Sequence, residues 1–109
     1  MSLFKKQQKS VEVTPKDLLR RVQALEAKLE SMQHAITKIG IIRFNPFKEI
    51  GGDQSFSIAL LDEQHNGVVV TSYYGRELNR VYAKSIQNGV SVQELSEEEK
   101  EAVEKAIKV

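Results

Sequence analysis

No cysteine occurs in this 109-residue chain, so disulfides and cysteine-held metals are excluded. Long apolar runs are missing too. The longest, Phe56–Leu61, is interrupted by Ser57 and falls well short of the roughly 18–20 residues that span a bilayer. Lys5 and Lys6 lead into polar residues, so the start does not read as a signal peptide. The expected location is therefore cytoplasmic, at most peripheral to the membrane. Proline occurs only twice, as Pro15 and Pro46, and each marks a boundary. Histidine also occurs only twice, which leaves little material for a metal site.

Neither sign of charge dominates, because the net charge is +1. The distribution is uneven. Residues 1–21 carry six basic side chains against two acidic ones, and residues 94–109 carry six glutamates against three lysines. Such a layout suits contacts between copies, or a basic end set against nucleic acid or an anionic lipid surface. Hydrophobic residues make up 40% and charged residues 28%, a mixture that can bury a core.

The strongest pattern is a heptad seam. Leu18, Val22, Leu25, Leu29, Met32, Ile36 and Ile39 alternate at steps of four and three. Such a stripe is narrow and suits a partner helix better than a broad core. Thr14-Pro15-Lys16-Asp17 is a helix start: Thr14 caps, Pro15 fits the first turn and Asp17 suits the positive end of the dipole. The spacing predicts a helix running to about Lys38 and stopping near Gly40, about 33 Å long from Leu18 to Ile39. With Val22 at position a, Arg21 falls at g and Glu26 at the following e, a pair that attracts across a parallel dimer. The expected organisation is a flexible basic arm at 1–13, a coiled-coil helix at 14–39 and a small domain at 40–109.

That small domain reads as β-rich. Ile41–Phe44, Gln54–Leu61, Val68–Tyr74 and Arg80–Ile86 read as strands, with Asn88-Gly89 a hairpin turn and Ser91–Glu94 a candidate fifth strand. The loops are short, which favours an antiparallel meander. In the second strand Phe56, Ile58 and Leu60 share one face and Ser55, Ser57 and Ala59 the other. Ser96 and Glu99 form a capping box opening a last helix, whose Val103, Ala106 and Ile107 stripe is expected to cover the Phe56/Ile58/Leu60 face. The fold class expected is α+β.

Gly40-Ile-Ile-Arg43-Phe44-Asn45, Gly51-Gly52-Asp53-Gln54-Ser55-Phe56-Ser57-Ile58-Ala59-Leu60-Leu61-Asp62, Asn66-Gly67-Val-Val-Val-Thr71-Ser72, Gly75-Arg76-Glu77, Val81-Tyr82-Ala83-Lys84 and Leu95-Ser96-Glu97-Glu98-Glu99 follow one another in that order. The series resembles the bacterial family called domain of unknown function 4446, over roughly residues 18–106. The resemblance implies a bacterial, non-secreted protein with a helical lead-in and a small β-rich domain. It also implies a membrane-spanning helix ahead of the lead-in of longer members, where this chain has a basic arm. Ser85 stands where proline is usual in that family. The resemblance carries no catalytic or binding residues with it.

The remaining constellations are weak. His34 falls on the solvated back of the first helix and His65 in a loop, with no third ligand. Asp62-x-Gln64-x-Asn66-Gly67 has the start of a calcium loop, but Tyr73 stands where the bidentate glutamate belongs. Gly51-Gly52 has no Lys-Ser/Thr after it and reads as a bulge at a strand entrance. Glu97, Glu98 and Glu99 read as helix-start carboxylates. No reaction is indicated, so neither a catalytic residue, a metal nor a cofactor is expected. The candidate binding face is Tyr73, Arg76, Arg80, Tyr82 and Lys84, expected opposite the core, where two tyrosines flanked by cations could stack on bases or peptide groups. The first functional expectation is an oligomerising protein-interaction module, a dimer before other states, with an unidentified protein partner. The second is a nucleic-acid or anionic-lipid binder using the basic arm and the Arg76/Arg80/Lys84 group.

Overall fold

A computed structural model describes residues 12–46, 54–77 and 79–109. Two expectations, the basic arm over residues 1–11 and the Gly51-Gly52 bulge, lie outside them. The chain divides into two units, Met1–Met32 and Gln33–Val109.

The first unit holds helix α1, Pro15–Ser31. Thr14 and Asp17 close a capping box: the Asp17 amide donates to Thr14 Oγ1 at 3.1 Å and the Thr14 amide to Asp17 Oδ2 at 3.3 Å. The Thr14 hydroxyl also donates to that carboxylate and holds it below the usual aspartate range. The helix has 17 residues, or about 25 Å, and is shorter than the seam predicts. Only Leu18, Val22, Leu25 and Leu29 of the seven seam residues lie on it. Met32 is its C-cap, Ile36 lies in the connection and Ile39 belongs to a strand. At the end of α1 the Ser31 hydroxyl donates to the Lys28 carbonyl at 2.7 Å, a local bond that competes with continued helix. Beyond it, Thr37 N–H already donates to the Leu61 carbonyl at 3.0 Å. The β-branched run around Ile41-Ile42 is claimed by sheet pairing, and the seam stops short.

The second unit is a four-stranded antiparallel meander, β1 (Lys38–Phe44), β2 (Ser55–Leu61), β3 (Gly67–Tyr74) and β4 (Asn79–Ile86), in sheet order β1-β2-β3-β4. Helix α2, Glu97–Ile107, packs mainly on β1 and β2. The architecture is α+β, as expected. Asn88 (φ 52°) and Gly89 (φ 79°) form the hairpin turn that their types dictate. Residues 91–94 form no fifth strand; only a bridge between Gln87 and Val90 extends the ladder.

The register divides the sheet into two faces. One carries Gly40, Ile42 and Phe44 of β1, Ser55, Ser57, Ala59 and Leu61 of β2, Val69, Thr71 and Tyr73 of β3, and Arg80, Tyr82, Lys84 and Ile86 of β4. The other carries Ile39, Ile41 and Arg43, then Phe56, Ile58 and Leu60, then Val68, Val70 and Ser72, then Val81, Ala83 and Ser85.

Helix α2 covers the first face, so the sequence expectation is inverted. Ala102, Val103 and Ala106 are buried against Ala59, Leu61, Val69 and Ile86, while Phe56, Ile58 and Leu60 stay half-buried on the far side. The reason is distance. A Cβ on Gly40 would stand 2.2 Å from the Ala102 carbonyl oxygen and 2.6 Å from the Ala106 amide nitrogen. The helix backbone rests on the strand, which only a floor of glycine, alanine and serine permits. Phenylalanine, isoleucine and leucine would hold it off.

Gly40→Ala should therefore destabilise the fold by about 2 kcal/mol or more, because the clash is with backbone that cannot rotate away. Chemical denaturation of the full chain checks this, and a loss within experimental error would contradict the close seat.

Candidate functional site

Under the start of α2 lies a buried polar chain that spans the sheet. Glu99 completes the capping box: its amide donates to Ser96 Oγ at 3.2 Å, and Ser96 N–H donates to Glu99 Oε1 at 2.8 Å. The same carboxylate reaches down into the sheet. Thr71 Oγ1 donates to Oε2 at 2.7 Å and Lys84 Nζ to Oε1 at 2.9 Å. Thr71 has then used its proton, so the Ser57 hydroxyl, 2.7 Å away, donates to Thr71. Lys84 also donates to the Glu94 carbonyl at 2.7 Å. Burial pushes the Glu99 carboxyl up, but the Ser96 amide, the Lys84 ammonium and the Thr71 hydroxyl outweigh it and hold it below the usual range. Among the described residues no buried side-chain donor or acceptor lacks a partner. A Ser–Thr–Glu–Lys set at these distances could suggest acid–base work. Its groups are instead mutually satisfied, with Ser57 and Thr71 sealed from solvent. It ties the helix cap to the sheet.

Beside that chain is an aromatic corner. Tyr73 meets Phe44 and Tyr82 edge to face, each pair with ring centroids 5.9 Å apart. Arg80 Nη1 donates to the Tyr82 hydroxyl at 3.3 Å. The structure thus brings Tyr73, Arg80, Tyr82 and Lys84 onto one face, as the strand parities predict. The face is the one that carries α2, not the opposite one, and Lys84 points to Glu99. Arg76 is exposed in the β3–β4 turn, outside the strands.

The half calcium loop is an Asx turn. Asp62 Oδ1 accepts N–H bonds from Gln64 and Asn66, both at 2.9 Å. The Asn66 amide is the main reason that the buried Asp62 carboxyl lies below its usual range, and His34 Nδ1, 3.5 Å from Oδ2, adds to this. His34 is solvent-exposed, as expected, but it lies in the turn beyond the end of α1 and not on a helix back, with its ring beside Asp62. Among the described residues no three histidine, aspartate or glutamate side chains gather as a metal site. A shallow depression of about 470 Å³ lies where the β2–β3 loop meets the Asn88 turn, and none of its lining residues (Asn66, Gly67, Ser85, Ile86, Gln87, Asn88) is ionisable.

The most extensive features are apolar. Leu18, Val22, Leu25 and Leu29 on α1 are each between 49% and 69% exposed. In the second unit the sheet face away from α2 presents two transverse rows, Ile39-Leu60-Val68-Ser85 and Ile41-Ile58-Val70-Ala83. Ile39 and Ile41 are exposed and the central residues half-buried. The alternation that displays this face is visible in the sequence. That α2 does not cover it is not, because that depends on which face α2 chooses. The Glu99 chain is half visible, through the Ser96–Glu99 spacing alone.

Replacing Glu99 should measure the buried chain. Glu99→Gln is expected to cost about 2 kcal/mol at neutral pH, the size of lost charge-assisted bonds. Because the folded carboxyl sits below its ordinary value of 4.5, its contribution is present above that pH and is lost as pH falls through the depressed value. Acid should thus narrow the gap between the wild type and Glu99→Gln. Denaturant midpoints at neutral and acid pH check this, and a gap that stays constant would remove the charged-network account.

No curated protein and no solved structure matches the chain. A family match does cover it, over residues 1–107: the chain belongs to the family described as Protein of unknown function (DUF4446).

Proposed function

We propose that the protein is a non-catalytic module that joins copies of itself, in the first instance as a dimer, and presents its β-domain to a protein partner. The exposed stripe on α1 carries the reading. Four large aliphatic side chains on one side of a capped helix cost solvation free energy until another apolar surface covers them. Their steps of four, three and four suit a second helix of the same kind. The chemistry of the β-domain supports the same reading: Glu99 and Lys84 are engaged with each other under the cap of α2, and the depression beside the Asn88 turn is lined by neutral residues.

A nucleic-acid or anionic-lipid surface at the aromatic corner is the second reading, favoured by Tyr82, which is 41% exposed beside Arg80. The pairing of Lys84 with Glu99 takes one cation from that surface. This reading calls for binding that weakens steeply with salt.

Light scattering on the full chain tests the first reading. The wild type should exceed monomer mass at tens of micromolar. Leu25→Glu should weaken association by about tenfold or more while circular dichroism shows an intact β-domain. A wild type that stays monomeric at that concentration would remove the assembly premise.

A further inference from the structure

We propose that Asn88 is a spontaneous modification site: attack by the Gly89 backbone nitrogen converts its side chain to aspartate or isoaspartate, while the fold protects the identical Asn66-Gly67 pair. The chain carries both Asn-Gly pairs at one end of the sheet. The chemistry is internal to each pair and needs only water and base. The Gly89 N–H gives its proton to solvent base, the nitrogen bonds to Asn88 Cγ, and the Cγ–Nδ2 bond breaks as ammonia leaves. Water then opens the cyclic imide at one of its two carbonyls, giving aspartate or isoaspartate. Glycine favours the attack because no Cβ crowds the nitrogen.

The two pairs are equal in sequence, and the fold separates them. The Asn66 carboxamide is occupied: its Oδ1 accepts the Asn88 amide N–H at 2.8 Å. Gly67 is a ladder residue, paired with Leu61 on one side and Ile86 on the other. A Cβ on Gly67 would collide with the Leu60 carbonyl oxygen, so this backbone lies hard against β2. Bringing the Gly67 nitrogen round to Asn66 Cγ means parting β3 from its neighbours, an opening close to loss of the whole sheet.

Asn88 has weaker support. It sits in a two-residue turn, with φ 52° followed by 79° at Gly89. A lone bridge between Gln87 and Val90 closes that turn beyond the end of β4. The Gly89 N–H donates to the His65 carbonyl at 2.9 Å, and among the described residues no hydrogen bond engages the Asn88 carboxamide. Opening the turn breaks the bonds made by the Gln87, Asn88, Gly89 and Val90 amides and leaves the ladder whole. Such a local opening is far more frequent than loss of β3. One bond carries much of the asymmetry: by donating to Asn66, the Asn88 amide immobilises the side chain of Asn66 and leaves its own free to turn. The isoaspartate product lengthens the backbone of the turn by one methylene. Either product sets a carboxylate in a depression otherwise lined by neutral residues.

Peptide mapping of the full wild-type chain by mass spectrometry tests this, over time in warm, mildly alkaline buffer in which circular dichroism shows it folded. For each pair the rate in the folded chain is set against its rate in denaturant, which removes the effect of sequence alone. Asn88 should convert in the folded chain, and the protection at Asn66 should exceed that at Asn88 by about tenfold or more. Resistance to an aspartate-specific protease marks the isoaspartate share. Asn66→Ala removes the anchor of the Asn88 amide and should speed conversion at Asn88 by about threefold. The wild-type comparison decides the matter even where Asn66→Ala fails to fold. Equal protection at the two pairs, greater protection at Asn88, or a folded Asn88 that stays intact while the denatured chain converts fully would each overturn the proposal.

Discussion

The seat of α2 on Gly40 decides the rest of this domain. With the Ala102 carbonyl and the Ala106 amide lying where a Cβ would project, the helix rides directly on strand β1. Only one side of the sheet can accept a backbone at that distance. Gly40, Ala59 and Ser57 supply little height on that side, whereas Ile41, Ile58 and Leu60 stand up on the other. Close contact makes a small core effective. Ala102 and Ala106 contribute little apolar area each, but they let the helix backbone approach the strand closely. The consequence is that the bulkier and more apolar face is the one left over.

This constraint explains which parts of the structure were legible. Signals that act over three or four residues read correctly. Thr14 with Asp17 and Ser96 with Glu99 cap their helices, and Asn88-Gly89 adopts positive φ and turns the chain. Strand positions and the meander followed from alternation and short loops. The seam from Leu18 to Ile39 read as one helix because its spacing is regular through Ile39. Periodicity cannot register the competing pull of β pairing on Ile39, which stands opposite Leu60. The identity of the inner face was hidden for a different reason. Alternation reports that two faces differ, and the usual inference puts the apolar one inside. Here, size outranks polarity. The serines and the threonine of the inner face are admissible because they are small and because hydrogen bonds complete them.

The Glu99 chain supplies that completion. Ser57, Thr71 and Glu99 would each be costly if buried alone. Linked in series they leave no orphaned donor or acceptor, and Lys84 balances the charge. A residue that sequence reading assigns to a helix cap therefore does a second task, and Lys84, which reads as part of a cationic binding face, is drawn into the same interior. Both reassignments come from tertiary proximity across 15 to 28 residues, which local spacing cannot encode.

A buried ion pair is seldom a net source of stability, because desolvation offsets the attraction. Its value here lies in discrimination between faces. Were α2 to lie on Ile58, Leu60 and Val70 instead, Glu99 would lose Thr71 and Lys84 as partners, and its carboxylate would come down on a face made mainly of aliphatic side chains. The apolar surface of the helix alone does not separate the two placements strongly, since the aliphatic face offers more area. The unmet carboxylate does, as does the height of the isoleucines. Glycine at 40 and glutamate at 99 thus act together: one permits the close seat, and the other penalises the alternative. By keeping α2 off the aliphatic rows, the same two residues that stabilise the fold decide which face of the sheet becomes its inner one.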